Sequence, residues 1–130
     1  MTYAEIRHAI GKLTRLKRLL LGKAVFPSRC EAFNNMMIHL AIHCRHLCES
    51  DIQARTEGLD TGLLALSTLD NLESIAFLAM DLSTHGVMAL AKFPRLRHLT
   101  LYGNKQPELQ HELEELKQTH PQLKVSWRDL

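Results

Sequence analysis

His39, His43, Cys44, His46 and Cys48 lie within ten residues, the densest gathering of imidazoles and thiols in the chain. His39 and His43 are four apart, and on a helix that spacing presents two imidazoles to one metal ion. The helical wheel divides the group. Phe33, Met37, Leu40 and Cys44 share one face, while His39, His43 and His46 fall on a flank away from it, so the cysteine is expected inward and the histidines outward. A buried thiol behaves as a small apolar side chain. A metal-binding or redox protein using the His39 to Cys48 cluster is therefore the alternative reading, and the main expectation is no metal and no cofactor.

Other catalytic patterns are incomplete. His111-Glu-Leu-Glu-Glu115 begins like a zinc-protease helix but lacks the second histidine four residues on. Gly58 and Gly62 do not lead into a Lys-Ser or Lys-Thr pair, Gly22 and Gly86 stand alone, and no serine sits in a nucleophile elbow. Glu112, Glu114 and Glu115 belong to a helix of alternating charge and read as its solvated face. The chain is expected not to be an enzyme.

The elements that would carry these residues follow from a recurring phrase. It appears as Leu13-Thr-Arg-Leu16-Lys-Arg-Leu19-Leu-Leu21, Cys44-Arg-His-Leu47-Cys-Glu-Ser50-Asp-Ile52, Leu69-Asp-Asn-Leu72-Glu-Ser-Ile75-Ala-Phe77 and Phe93-Pro-Arg-Leu96-Arg-His-Leu99-Thr-Leu101. Aligned on Leu16, Leu47, Leu72 and Leu96, with Leu123 as a degenerate fifth, the spacings are 31, 25, 24 and 27 residues. That is the period of one strand plus one helix. Each phrase ends in an apolar residue, a skipped residue and another apolar residue, the alternation of a strand with one buried face. Between phrases, Thr2 with Glu5 and Ser28 with Glu31 have the spacing of capping boxes, predicting helices over about 3–12 and 29–46. Asp60 or Thr61 is expected to cap a helix carrying Leu63, Leu64 and Leu66, and Ser83 or Thr84 one carrying Val87, Met88 and Leu90. Pro107 fits the first turn of a last helix with Leu109, Leu113 and Leu116. Met36, Met37, Met80 and Met88 are expected to fill gaps in the core.

In these phrases the chain resembles the leucine-rich repeat proteins of the ribonuclease-inhibitor-like kind, and especially the cysteine-containing repeats of F-box proteins. Leu96-Arg-His-Leu99-Thr-Leu101-Tyr-Gly-Asn104 carries the likeness best, including the asparagine whose side chain can bond backbone where the chain leaves the strand. The equivalent places hold Ala24, Arg55 and Met80, and Ser50 stands where an aliphatic residue belongs. The resemblance implies an α/β fold, a right-handed solenoid with a short parallel sheet on the concave side and helices on the convex side. It would be a single domain, 1–130, of about four to five repeats, or a segment of a longer solenoid. It also implies a protein-protein interaction module, in one version the substrate-recognition part of a ubiquitin ligase. No F-box segment is visible, so that role would need another part of the chain or a separate adaptor.

Composition is consistent with such a module. The net charge is +2, from 16 basic and 14 acidic residues, so no polyanion partner is demanded. The local excess Lys12, Arg15, Lys17, Arg18 and Lys23 lacks adjacent aromatic stacking residues and reads as a solvated rim, not a nucleic-acid site. Three cysteines, Cys30, Cys44 and Cys48, leave an odd count and no disulfide framework, which suits a reduced compartment, cytoplasmic or nuclear. No apolar stretch would span a membrane. The terminal phrases look uncapped, so self-association or docking of the ends on neighbours in a large complex is a further expectation.

On stacked strands, the residues that alternate with the buried leucines line the concave face. Read across the units, the rows are Arg18, Glu49, Ser74 and His98, then Leu20, Asp51, Ala76 and Thr100, then Gly22, Gln53, Leu78 and Tyr102. Tyr102 is the expected anchor for a protein partner, with Leu20 and Leu78 as exposed apolar contacts. The expected site is thus Arg18, Leu20, Glu49, Asp51, Gln53, Leu78, His98, Thr100 and Tyr102.

Overall fold

The two-residue alternation of the phrases forms strands because successive side chains of an extended backbone point to opposite faces. The computed structural model describes residues 5, 8–9, 12–21, 31–53 and 59–129. Expectations placed on Thr2, Gly22, Lys23, Ala24, Ser28, Cys30, Arg55 and Gly58, and on the side chain of Phe33, lie outside the described residues. Among those described, the strands are β1 (Arg18–Leu21), β2 (Glu49–Ile52), β3 (Ser74–Leu78), β4 (His98–Tyr102) and β5 (Lys124–Arg128). They alternate with α1 (Glu31–His43), α2 (Leu59–Leu66), α3 (Thr84–Leu90) and α4 (Gln110–Thr119). Glu5, His8 and Ala9 are also helical. The fold is α/β, and its five strands form one parallel sheet in sequence order that does not close on itself.

The register aligns Arg18, Glu49, Ser74, His98 and Lys124 across the sheet. Each unit hands a carbonyl to the next: Lys17 accepts from Cys48 and Glu49, Cys48 from Glu73 and Ser74, Glu73 from Arg97 and His98, and Arg97 from Lys124, at 2.7 to 3.1 Å. The fifth unit differs from its alignment on Leu123. Three residues separate Pro94 from His98, but two separate Pro121 from Lys124, so the last turn is one residue shorter. Leu123 still turns into the core as Leu96 does. The shortening brings Val125 and Trp127 beside Leu99 and Leu101.

Helix starts follow local chemistry. Ser83 caps α3, its hydroxyl accepting from the Gly86 N–H at 3.3 Å. Asp60 lies in the first turn of α2, not ahead of it, and its carboxylate accepts the Ser83 hydroxyl, which is 2.9 Å from both carboxylate oxygens. One serine thereby caps α3 and ties it to α2. Gly86 completes the joint, since a Cβ there would come 2.7 Å from Leu82 Cδ1 and 2.9 Å from Asp60 Oδ1. Pro107 opens a 3-10 turn, Pro107–Leu109, that runs into α4. α1 ends at His43, short of the expected 46, because residues 45–46 turn toward β2.

Ile52, Ile75, Phe77, Leu99 and Leu101 on the sheet join Met36, Met37, Leu40, Leu63, Leu66, Val87, Leu90, Leu113 and Leu116 on the helices in one core. Each such side chain taken out of water contributes about 1.5–3 kcal/mol. Neighbouring helices pack in order, α1 on α2, α2 on α3 and α3 on α4. Met36 and Met37 are buried as expected, but Met80 and Met88 are 58% and 62% exposed. Met80 sits in the 3-10 turn Ala79–Asp81 where Ala79 and Leu82 turn inward instead, and Met88 is flanked on α3 by the inward Val87 and Ala89. Glu112 also departs from a solvated reading: it is half-buried, with Oε2 shielded and unpaired. Ser50 takes the inward place that Ile75 and Leu99 hold on the neighbouring units, and its sealed hydroxyl has no hydrogen-bond partner.

Candidate functional site

The sheet face turned away from the helices carries the expected rows. The register joins Arg18, Glu49, Ser74 and His98 in one, and Leu20, Asp51, Ala76 and Thr100 in the next. Leu78 pairs with Tyr102 in the third, and continuing the β2–β3 register past Asp51 and Ala76 brings Gln53 to the same row. Lys124, Ser126 and Arg128 of β5 extend the rows. These three were missed in the sequence, although their strict alternation with Val125 and Trp127 was the signal that could have found them. The rows enclose a shallow pocket of about 310 Å³ lined chiefly by Glu49, Asp51, Ser74, His98, Thr100 and Tyr102, with Ser126 and Arg128 at its β5 side.

One contact crosses an entire strand. The Tyr102 hydroxyl donates to Asp51 Oδ2 at 2.8 Å and accepts from Gln53 Nε2 at 3.2 Å, so a side chain rooted on β4 reaches two residues of β2. Between them lies β3, whose outward residues at this level are Ala76 and Leu78. Small Ala76 leaves room for the ring to pass. Leu78, expected to be exposed, is only 4% so; it pairs with Tyr102 in the register, and the hydroxyl bonds of that tyrosine reach β2 on its far side. Burial first, then the Asp51 hydrogen bond and charge, hold the Tyr102 phenol above its ordinary pKa, against smaller opposing effects of Gln53 and Arg128. The phenol is a donor to Asp51 at neutral pH. Asp51 Oδ1, shielded from solvent, has no partner.

The rest of the face is looser. Arg18 and Glu49 form an ion pair at 3.3 Å with both side chains substantially exposed, and such pairs contribute little to stability. Leu20 is 69% exposed, as expected. His98 is exposed and Thr100 half-buried. Asn104, at the exit of β4, is exposed, and its backbone carbonyl accepts from Gln106 Nε2 at 3.4 Å. The turn is made by Gly103, at φ 112°, whose N–H donates to the Arg128 carbonyl at 2.8 Å.

The imidazole and thiol cluster divides as its helical wheel predicts. Cys44 is buried, its Sγ donating to the Leu13 carbonyl at 3.4 Å, and burial pushes its thiol pKa up. His39 and His43 stack on the flank of α1 with ring centroids 5.7 Å apart and planes 12° from parallel. His46 is exposed, and Cys48 turns its thiol to the His46 carbonyl at 3.3 Å. Among the described residues, no three His, Cys, Asp or Glu side chains gather closely enough to hold a metal ion. None of the helices described is long and apolar enough to cross a membrane. Compared with known proteins, the chain matches no family model and no curated protein.

Proposed function

We propose that the chain is a right-handed leucine-rich repeat solenoid, with the sheet on its concave side and the helices on its convex side. It acts as a non-catalytic protein-binding module through the open sheet face. The Tyr102 bridge carries this reading, since it holds Asp51 and Gln53 in fixed positions on a surface whose other side-chain link among the described residues is the exposed Arg18–Glu49 ion pair. Fixed polar groups around an aromatic anchor lower the entropy that a partner must overcome on binding. The uniform register of five parallel strands supports the solenoid. The F-box type of repeat suggests client recognition in a ubiquitin ligase as the specific setting.

The test is quantitative affinity purification with mass spectrometry, comparing the native chain with the Asp51→Ala, His98→Ala, Tyr102→Ala triple variant after both are shown to melt cooperatively. A stoichiometric partner held by the first and lost by the second is expected. A partner retained equally by both would overturn the reading. The half-covered Val125 and Trp127 favour a second reading, a structural subunit whose end is completed by a neighbour. Light scattering that finds a dilute-behaving monomer at every concentration would count against self-completion of that kind.

A further inference from the structure

Val125 and Trp127 stand in register with Leu99 and Leu101, yet they are half-buried where those leucines are sealed. Among the described residues, β5 is hydrogen-bonded along one side only. The aim of its backbone follows from bonds at its two ends. Lys124 N–H donates to the Arg97 carbonyl, and the Arg128 carbonyl accepts from Gly103 N–H, both at 2.8 Å. Residues of a parallel strand address their two neighbours alternately, so Lys124, Ser126 and Arg128 bond β4. The N–H and C=O groups of Val125 and Trp127 therefore point away from the sheet, a ready template for another strand.

Charge narrows what could use it. On the open face the edge shows Lys124 and Arg128 on either side of Ser126, all exposed. At its N-terminal end, Arg95, Arg97 and His120 surround a cleft of about 370 Å³ with Glu73 as the acidic residue in its lining. A second copy suits this edge poorly. Antiparallel pairing of β5 with itself about Ser126 would set Lys124 against Arg128 twice, and parallel pairing with the β1 edge in the same register would bring Arg18 to Lys124. Like charges directly opposed across strands are destabilising.

We propose that the outer edge of β5, unpaired among the described residues, takes up an extended segment of a partner protein as a sixth strand, with acidic residues beside Lys124 and Arg128 and apolar residues between them that cover Val125 and Trp127. Backbone bonds would supply affinity and the side-chain alternation specificity. The outward backbone groups of Val125 and Trp127 are distinct from the Asp51–Tyr102 bridge, but Arg128 also lines the pocket beside that bridge, so Val125→Pro, which leaves Arg128 in place, is the variant that separates failure of this edge from failure of the open face.

Trp127 is the single tryptophan in the chain, so its emission reports on this edge directly. The probes are two capped eight-residue peptides, one alternating Glu and Val and one alternating Lys and Val. The Glu/Val peptide is expected to blue-shift Trp127 and to bind roughly ten-fold more tightly than its Lys counterpart. Val125→Pro, which removes one outward N–H and no bond to β4, is expected to weaken that binding by roughly ten-fold. The surface variant Lys124→Glu with Arg128→Glu is expected to reverse the preference, and each variant is checked by its melting curve. Absence of a shift with the Glu/Val peptide, equal affinity for both peptides, or undiminished binding by Val125→Pro would overturn the proposal. A concentration-dependent blue shift without peptide would also overturn it, by assigning the edge to a second copy.

Discussion

On the helix side of the sheet, Ile75, Phe77, Leu99 and Leu101 are sealed among helix side chains, whereas their immediate neighbours Ser74, His98 and Thr100 face outward and keep contact with water. One backbone register serves both faces. The helix side is governed by volume, because a close-packed interior registers the loss of even a methylene. The open side is governed by hydrogen bonds and charge, so its rows need not repeat from unit to unit. Each face carries a trespasser. Ser50 brings an unsatisfied hydroxyl into the packed side, and Leu78 brings a buried leucine to the open side beside Tyr102.

Substitutions on the two faces should therefore differ in size and even in sign. Leu99→Ala on the packed side is expected to cost about 3 kcal/mol, through lost burial and the cavity left behind, measured by urea unfolding. A loss below about 1 kcal/mol would show that the core relaxes around the gap and would weaken the contrast. Gly86→Ala, at the joint of α2 and α3, is expected to cost about 1–3 kcal/mol, since the new methyl must displace Leu82 or the Asp60 carboxylate that receives Ser83. Its effect should shrink in an Asp60→Ala background if the carboxylate is what resists.

Tyr102→Phe on the open side is expected to cost about 1 kcal/mol, the modest value of one hydrogen bond at a partly exposed site. Its pH dependence gives the sharper signature. The folded pKa lies above the ordinary 10.0, so the stabilisation is complete below that pH and is lost as pH rises through the higher folded value. Urea midpoints of the native chain and the phenylalanine variant should differ by a constant amount at neutral pH and converge in alkali. A difference that stays constant through alkaline pH would mean the phenol contributes shape and not its proton. Ser50→Ala is expected to have the smallest effect and the opposite sign, a gain of up to about 1 kcal/mol, because the unpaired hydroxyl leaves the core. A loss would reveal that Ser50 has a partner in solution.

Much of this arrangement was legible in the order of residues. Spacing of the phrases and the alternation within them located the strands and aligned the first two outward rows, since both depend on local periodicity and unit length alone. The Ser83 cap was legible for the same reason: a hydroxyl three residues ahead of an amide is a local relation. What escaped depends on contacts between units. The Tyr102 bridge needs the separation of β2 from β4 and the small size of Ala76 between them. Asp60 serves Ser83, which is 23 residues away, and so left the capping place expected for it. Met80 and Met88 are as apolar as the buried Met36 and Met37, but a turn and a helix flank carried them outward. The fifth unit was misaligned by one residue because Leu123 imitates Leu96, while the shorter turn after Pro121 shows only once the strands pair.

By itself, the sequence determined that strands and helices alternate, which side of each strand is apolar, and that Cys44 points inward while the neighbouring histidines do not. These follow from periods of two and about 3.6 residues, which every short stretch of chain obeys on its own. The tertiary structure alone decided that Tyr102 would span β3, that Leu78 would be covered, and that Val125 and Trp127 would stay half-open at the edge. Those outcomes depend on which side chains meet across strands distant in sequence, and on whether a further layer lies over them, quantities that exist only once the units have stacked.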